Sequence, residues 1–240
     1  MKRLALYLLF LAPTVCFSQV EKAIQAYKAK DYHTALTEWN QLLANGMRGA
    51  DLYFNIGNTY TGLKEYPQAI LYYRKALKWD PNCAACIKNL KIAEAAAGIE
   101  TFELPEFILF KIYKSILLSM QAFHWFMLFV LTVSIGIAGY LFKDKIPLSL
   151  QSIRFVLLFA CISLLLAVHR DSIRNDQNGF VLLQASPLYL SPDPGSSKKD
   201  DLKAGLYLQI KDQIQGWIKV QTTELDFGWV ELNKGTRVIL

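Results

Sequence analysis

The sequence predicts a multidomain membrane protein that joins an all-α helical repeat, two transmembrane helices and a small all-β barrel. Three observations carry this prediction: a 34-residue internal repeat in the first hundred residues, two long apolar runs in the middle, and a series of short strand-like segments at the end. The chain has 240 residues, of which 53% are hydrophobic, and the apolar residues are concentrated in a few segments. This distribution is typical of a membrane protein with soluble domains before and after its spans.

Residues 1–18 have the three parts of a secretory signal peptide. Lys2 and Arg3 precede an apolar run, and the small residues Cys16 and Ser18 follow it. We expect cleavage after Ser18. A lipidated leader and a retained anchor remain alternatives, although the apolar run is shorter than the ~20 residues that span a bilayer.

Residues 19–100 contain an internal repeat, predicted as two copies plus a capping helix. A displacement of 34 residues aligns Tyr32 with Tyr66, Ala35 with Ala69, Leu36 with Ile70, and Trp39 with Tyr73. The period and the second copy resemble the tetratricopeptide repeat (TPR) family. The positions that carry the resemblance are Tyr53, Ile56, Gly57, Tyr60, Ala69, Tyr73, Ala76 and Pro81. Gly57 and Ala69 are small where two helices must approach closely, and Pro81 ends the helix pair because it cannot continue the hydrogen-bond ladder.

In TPR proteins the first helices of successive repeats line a concave groove. By that resemblance, Phe54, Asn58 and Lys88 are candidate peptide-binding residues. Asn58 would hold the peptide backbone and Lys88 an acidic group. The alternative for each residue is ordinary helix surface.

The middle of the chain is predicted to lie on and in a membrane. Residues 101–120 are apolar and aromatic but are interrupted by Lys111 and Lys114, which is typical of an interfacial linker helix. Packing of this helix on the last repeat helix is the alternative. The first transmembrane helix, the cytoplasmic loop and the second transmembrane helix are placed at residues 121–142, 143–147 and 148–169.

The predicted topology places both soluble domains on the outer side of a bacterial inner membrane, in the periplasm. A cleaved leader sends the repeat domain across the membrane, and two spans return the C-terminus to the same side. Lys143, Lys145 and Arg154, in or near the loop, agree with the positive-inside rule.

Residues 176–240 contain five short strand-like segments separated by Gly, Asn and Asp, which predicts a small barrel. The stretch "SPDPGSSKKDD" is interpreted as a turn-rich interruption. "GWIKV" and "FGWVELNKG" are similar to the bacterial SH3-like domain family. We expect the aromatic residues Tyr189, Tyr207, Trp217 and Trp229 in its core and rim, because so small a domain needs them for its own burial.

Cys83 and Cys86 form a C-x-x-C, the one reactive-looking motif and a candidate thiol pair. Asn82 is the expected N-cap of the helix that begins there. A redox C-x-x-C is expected between a strand and a helix, whereas a helical repeat precedes this one. A redox role, a structural disulfide and an inert pair therefore remain open.

No other chemistry is indicated. His33, His124 and His169 are far apart in the sequence and have no metal-ligand spacing. The carboxylates of Glu65, Asp80 and Glu94 are expected on a solvated face. The prediction is therefore a protein without enzymatic activity, cofactor or metal. The net charge is +6, but the basic residues do not form a patch that could bind nucleic acid, so nucleic-acid binding is not expected.

The order of signal peptide, TPR segment, two spans and SH3-like domain resembles the BatE family of Bacteroidetes and spirochaete aerotolerance operons. The resemblance implies an inner-membrane protein that assembles with partners carrying von Willebrand factor A-type domains. The first hypothesis is a scaffold for membrane or periplasmic proteins, in an aerotolerance or envelope-stress complex. Peptidoglycan binding by the barrel and thiol redox chemistry at the C-x-x-C are the alternatives.

Overall fold

The computed structural model describes residues 19–100, 107–142, 149–176, 178–222 and 226–239. The predicted signal peptide, the start of the linker helix and the cytoplasmic loop lie outside these residues. The chain forms two compact units. The first contains the repeat helices and the C-terminal sheet, and the second contains the apolar helices.

The first unit begins with antiparallel repeat helices. They are α1 (residues 19–28), α2 (Tyr32–Ala44), α3 (Ala50–Gly62), α4 (Tyr66–Trp79) and α5 (Ala84–Ala96). The Asp31 side chain caps α2 by accepting a hydrogen bond from the Thr34 amide. Helix α4 has Pro67 in its first turn, where no backbone donor is needed. Tyr32 and Tyr66, which the 34-residue displacement aligns, each begin the second helix of their repeat.

The 34-residue period also appears in the backbone of the turns. Lys30, Lys64 and Gly98 have φ values of 62°, 62° and 70°, in the left-handed region. The residue after each donates a 2.9 Å hydrogen bond to a carbonyl five residues earlier: Asp31 to Ala26, Glu65 to Tyr60 and Ile99 to Glu94. This closure is a C-terminal helix cap. Because these three turns are 34 residues apart and follow α1, α3 and α5, α5 occupies the first-helix position of a third repeat.

Close helix packing accounts for most of the residues that resemble the TPR family. Tyr53, Ile56, Gly57, Ala69, Tyr73 and Ala76 are buried. A Cβ atom at Gly57 would lie 2.6 Å from the Tyr73 ring, which is closer than any real contact. Helices α3 and α4 can therefore approach this closely only with glycine at position 57.

The C-terminal part of the first unit is an antiparallel sheet. Its strands are β1 (Gly179–Leu182), β2 (Ser186–Tyr189), β3 (Lys198–Leu202), β4 (Tyr207–Ile214), β5 (Trp217–Gln221), β6 (Phe227–Glu231) and β7 (Gly235–Arg237). Within the described residues their order is β3-β2-β6-β5-β4-β1-β7. Phe180, Leu188, Leu208, Ile218 and Val230 are in its core.

The sequence-based expectation of five strands was wrong, because the described residues of this segment form seven. The first strand-like segment divides into β1 and β2. The stretch interpreted as turn-rich contains β3, an edge strand that pairs with β2 and has its first four residues exposed. Charged side chains are usual on edge strands because they oppose pairing with other chains. Such a strand lacks the apolar alternation on which the prediction relied.

The sheet packs against α4 and α5. Val181 and Val238 share a hydrophobic cluster with Ile70, Leu90 and Ala93. The Lys203 ammonium donates a 2.8 Å hydrogen bond to the carbonyl oxygen of Gly98. In a helical repeat stack, each added helix packs on the pair before it. A third repeat would place its second helix on α4 and α5. In this protein the sheet covers these two helices instead.

The second unit consists of α6 (Ile108–Leu118), α7 (Ala122–Leu141) and α8 (Leu150–Asn175). Helices α7 and α8 face each other at Gly136, where an added Cβ would make an ordinary contact with Val156 at 3.4 Å. Leu117 of α6 packs with Trp125 and Leu166. Two helical stretches, Ala122–Leu141 and Gln151–Ile173, are long and apolar enough to cross a membrane. Only 11% and 22% of their most apolar segments are buried, unlike the core helices of soluble proteins.

Candidate functional site

A hydrogen-bond network joins the first helices of two successive repeats. The Asn58 Oδ1 atom on α3 accepts hydrogen bonds from the Tyr73 hydroxyl and from Asn89 Nδ2 on α5, each at 2.8 Å. The Tyr73 hydroxyl also lies 2.9 Å from Thr61 Oγ1. Burial raises the pKa of Tyr73, so its hydroxyl stays protonated and can donate. The network therefore holds Asn58 and Asn89 in fixed positions.

Both amides keep unused hydrogen-bonding groups. Within the described parts of the chain, neither the Nδ2 atom of Asn58 nor the Oδ1 atom of Asn89 has a partner. An amide nitrogen can donate two hydrogen bonds and an amide oxygen can accept two. The pair therefore offers one donor group and one acceptor on neighbouring helices.

The three predicted groove residues differ in their surroundings. Asn58 belongs to the network. Lys88 is exposed on α5, next to Asn89. Phe54 is half-buried, and its ring centroid is 6.0 Å from that of Tyr73, so it contributes to the packing of α3 on α4.

Sequence reasoning missed Asn89. The signal was present, because the 34-residue displacement aligns Asn89 with Asn55 on α3. Both side chains are half-buried. The hydrogen bond to Asn58 joins positions 31 residues apart, which is not the repeat period. It was therefore not apparent from the alignment of the copies.

A cluster of aromatic rings surrounds Lys75 between α3 and α4. Tyr60 and Tyr72 stack with their centroids 5.4 Å apart. The Lys75 ammonium is 5.4 Å from the Tyr72 centroid and 5.8 Å from that of Tyr53, within the range of cation–π attraction. Burial lowers the pKa of Lys75, and the charge of Arg48 lowers it further. Burial also raises the pKa of Tyr72 to about 12, with smaller contributions from Tyr60 and Tyr53.

The raised pKa of Tyr72 predicts a loss of stability in alkali. The unfolded chain releases this proton near pH 10.0 and the folded chain only near pH 12. The contribution of Tyr72 is therefore complete below pH 10 and is lost as the pH rises toward 12. Urea unfolding of the full chain in detergent between pH 9 and 12 should show a shallower decline for Tyr72→Phe than for the wild type. Equal slopes would contradict the assignment.

Arg74 and Glu94 form an ion pair, with 2.7 Å between Nη2 and Oε1. The Glu94 side chain is only 6% exposed. The expectation that Glu94 lies on a solvated face was therefore wrong, because α5 packs this face onto α4. The Arg74 guanidinium also lies 4.0 Å from the centroid of the Tyr207 ring. Arg74 thus links α4 with both α5 and the sheet.

Cys83 and Cys86 are joined by a disulfide at the start of α5. Cys83 is the N-cap, and its Sγ atom accepts a 3.2 Å hydrogen bond from the Cys86 amide. The expectation that Asn82 is the N-cap was wrong, since α5 begins one residue later and Cys83 occupies that position, while the Asn82 amide donates to Asp80 Oδ1 in the preceding turn. Cys86 is fully buried and packs against Tyr53 and Ala76.

The four aromatic residues expected in the core and rim, Tyr189, Tyr207, Trp217 and Trp229, lie outside the main hydrophobic cluster of the sheet. Tyr189 and Trp229 are buried. Trp217 is half-buried, and its ring meets the Tyr189 ring edge-on with 5.3 Å between centroids. Tyr207 packs against the helices. Among the residues that the structure describes, no group of three or more His, Cys, Asp or Glu could hold a metal ion.

Comparison with known proteins supports the repeat. The tetratricopeptide repeat family model matches residues 50–83, which span α3, α4 and the turn up to Cys83. The "Uncharacterized protein ycf37" of Guillardia theta is 38% identical over 60 residues, covering 25% of this chain and 33% of that protein. The chain thus spans about a third of the length of this relative. The present chain contains a tetratricopeptide repeat, in the segment where the 34-residue period and the close packing at Gly57 are found.

Proposed function

We propose that this protein is a non-enzymatic scaffold of the bacterial inner membrane that binds an extended segment of a partner protein in its TPR groove. The TPR indicates protein–protein interaction. The observation that carries the proposal is the Asn58–Asn89 pair, which is fixed by internal hydrogen bonds and retains an unused donor and an unused acceptor.

The chemistry of this pair fits a peptide backbone. An extended peptide presents carbonyl oxygens and amide groups in alternation. Asn58 Nδ2 would donate to a peptide carbonyl, and Asn89 Oδ1 would accept from a peptide amide. Because the network already immobilises both side chains, binding would cost little further side-chain entropy. Lys88, exposed beside Asn89, would pair with an acidic group of the partner.

The membrane location rests on the second unit. Two helical stretches there are long and apolar enough to span a bilayer. Helix α6 exposes Ile108, Leu109 and Phe110, and its lysines Lys111 and Lys114 are also exposed, a combination suited to the membrane interface. With a secretory leader, this arrangement would place the TPR and the sheet in the periplasm.

The order of the segments along the chain supports a more specific proposal about the family and its partners. We propose that the sheet is a bacterial SH3-like domain, and its two tryptophan-containing strands, β5 and β6, support this proposal. A TPR, two spans and an SH3-like domain in this order resemble the BatE family. The expected partners are therefore membrane or periplasmic proteins with von Willebrand factor A-type domains, in an aerotolerance or envelope-stress complex.

Capture of a partner through the groove tests the proposal. A photo-crosslinking amino acid replaces Ile92, which is exposed on α5 and aligns with Asn58 in the repeat. We expect ultraviolet illumination of native membranes to capture a specific protein. Lys88→Glu should lower the yield about tenfold or more, because it replaces a charge-assisted hydrogen bond with repulsion.

Lys198→Glu on β3 is the matched control, since it makes the same charge change at another exposed lysine. Its yield should equal that of the wild type. The double variant Asn58→Ala, Asn89→Ala removes the backbone-binding pair. Undiminished capture by this variant would show that the groove is not the binding site.

A further inference from the structure

The two sulfur atoms at the start of α5 lie in unlike surroundings. Cys83 is only partly buried and occupies the N-cap. Cys86 is fully buried in a cluster with Tyr53 and Ala76. A thiol or thiolate approaching from solvent therefore meets the Cys83 sulfur first.

Stabilisation of the fold does not explain the presence of this disulfide. A disulfide stabilises a fold more when it closes a longer loop, and this one encloses only Ala84 and Ala85. The N-cap hydrogen bond needs the Cys83 sulfur alone, because Cys83 Sγ accepts from the Cys86 backbone and not from its side chain. Neither the loop nor the cap explains why position 86 has a second sulfur.

We propose that Cys83 and Cys86 form a thiol–disulfide exchange centre, in which Cys83 is the attacked sulfur and Cys86 the leaving and resolving sulfur. The N-terminus of α5 favours a negative charge on Cys83, because the free amides and the helix dipole point toward it. The Cys86 amide already donates to that sulfur. This chemistry is separate from the peptide groove and does not depend on it.

The exchange balances with a partner dithiol as reductant. A thiolate of the partner attacks Cys83 Sγ and forms an intermolecular disulfide, while the Cys83–Cys86 bond breaks and Cys86 leaves as a thiolate that takes up a proton. The partner's second thiolate then attacks its own sulfur in the mixed disulfide. Cys83 leaves and is protonated. Two electrons and two protons pass from the partner dithiol to the pair, and the partner becomes a disulfide.

The surface beside Cys83 suits a protein dithiol. Ala84, Ala85 and Ile87 are exposed, and Trp79 packs against the same cluster as Cys83. This apolar surface can hold an extended segment of a partner while its thiolate reaches Cys83. We therefore expect a partner with two nearby cysteines in an accessible segment.

Alkylation of the full chain in detergent micelles tests the assignment. Dithiothreitol is the probe dithiol, and no denaturant is present. Trypsin releases residues 79–88 as one peptide that contains both cysteines and is separate from Cys161. After reduction, we expect iodoacetamide to label Cys83 at least ~10-fold faster than Cys86. A pair that is reduced only after urea unfolds the protein would overturn the proposal.

Single-cysteine variants provide a second measurement. Cys86→Ala keeps an apolar residue in the core, and Cys83→Ser keeps an N-cap acceptor. Oxidised glutathione should form a mixed disulfide at Cys83 in the first variant at least ~10-fold faster than at Cys86 in the second. Equal rates would overturn the proposal, whereas the groove proposal would stand, because its variants leave both cysteines in place.

Discussion

Gly57→Val is expected to lower the free energy of unfolding of the first unit by about 3 kcal/mol, the upper part of the range for overpacked cores. The new Cβ would lie 2.6 Å from the ring of Tyr73. That ring is fully buried, and its hydroxyl is bonded to Asn58 and lies beside Thr61. The ring therefore cannot turn aside without breaking the network. The gain in helix propensity over glycine is under about 1 kcal/mol and cannot compensate.

Urea unfolding of the full chain in detergent, with hydrogen exchange at the amides of α3 and α4, measures this effect. Gly195→Val is the matched control. A Cβ there meets only the Asp193 side chain, at an ordinary distance of 3.5 Å. The control should stay within about 0.5 kcal/mol of the wild type. Wild-type stability of Gly57→Val would show that the helices do not approach as closely as described.

Arg74→Leu is expected to destabilise the first unit by about 3 kcal/mol, because it leaves the Glu94 carboxylate buried without its charged partner. It also removes the cation from the Tyr207 ring, which contributes about 1 kcal/mol in exposed settings. The expected value is at the low end for buried pairs, since the Arg74 side chain is itself 25% exposed.

A double-mutant cycle measures the coupling energy between Arg74 and Glu94. Arg74→Leu with Glu94→Leu removes both charges and places apolar side chains between α4 and α5. Such replacements of buried pairs are often neutral, so the double variant should recover at least half of the lost stability. If the two single effects simply add, the residues are not coupled and the ion pair is not what joins the helices.

The repeat was predictable because its determinants are local. A helix pair shows its apolar face at spacings of three and four, and the close approach at Gly57 needs a small residue at one position. The period of 34 residues appears in the aligned side chains and also in the turns at Lys30, Lys64 and Gly98. The length and apolarity of α7 and α8 are visible in the same direct way.

Other features depended on contacts that no local pattern records. Strand β3 is charged and exposed, and its pairing with β2 makes it a strand. Glu94 resembles a surface residue until α5 packs on α4 and brings it to Arg74. Asn82 and Cys83 are neighbouring candidates for the N-cap, and only the backbone path of the turn places the Cys83 sulfur by the Cys86 amide.

The sequence was sufficient to identify a TPR, two long apolar helices and a C-terminal β-rich segment. Helical periodicity, apolar length and strand alternation are local patterns that can each be recognised within a few tens of residues. Only the tertiary structure brought the sheet onto α4 and α5, where Val181 meets Ile70 and Lys203 meets Gly98. It also joined Asn58 to Asn89, and it buried Cys86 fully while burying Cys83 only in part. These arrangements depend on which surfaces are complementary in three dimensions. The sequence around one residue does not indicate which distant residue it will contact.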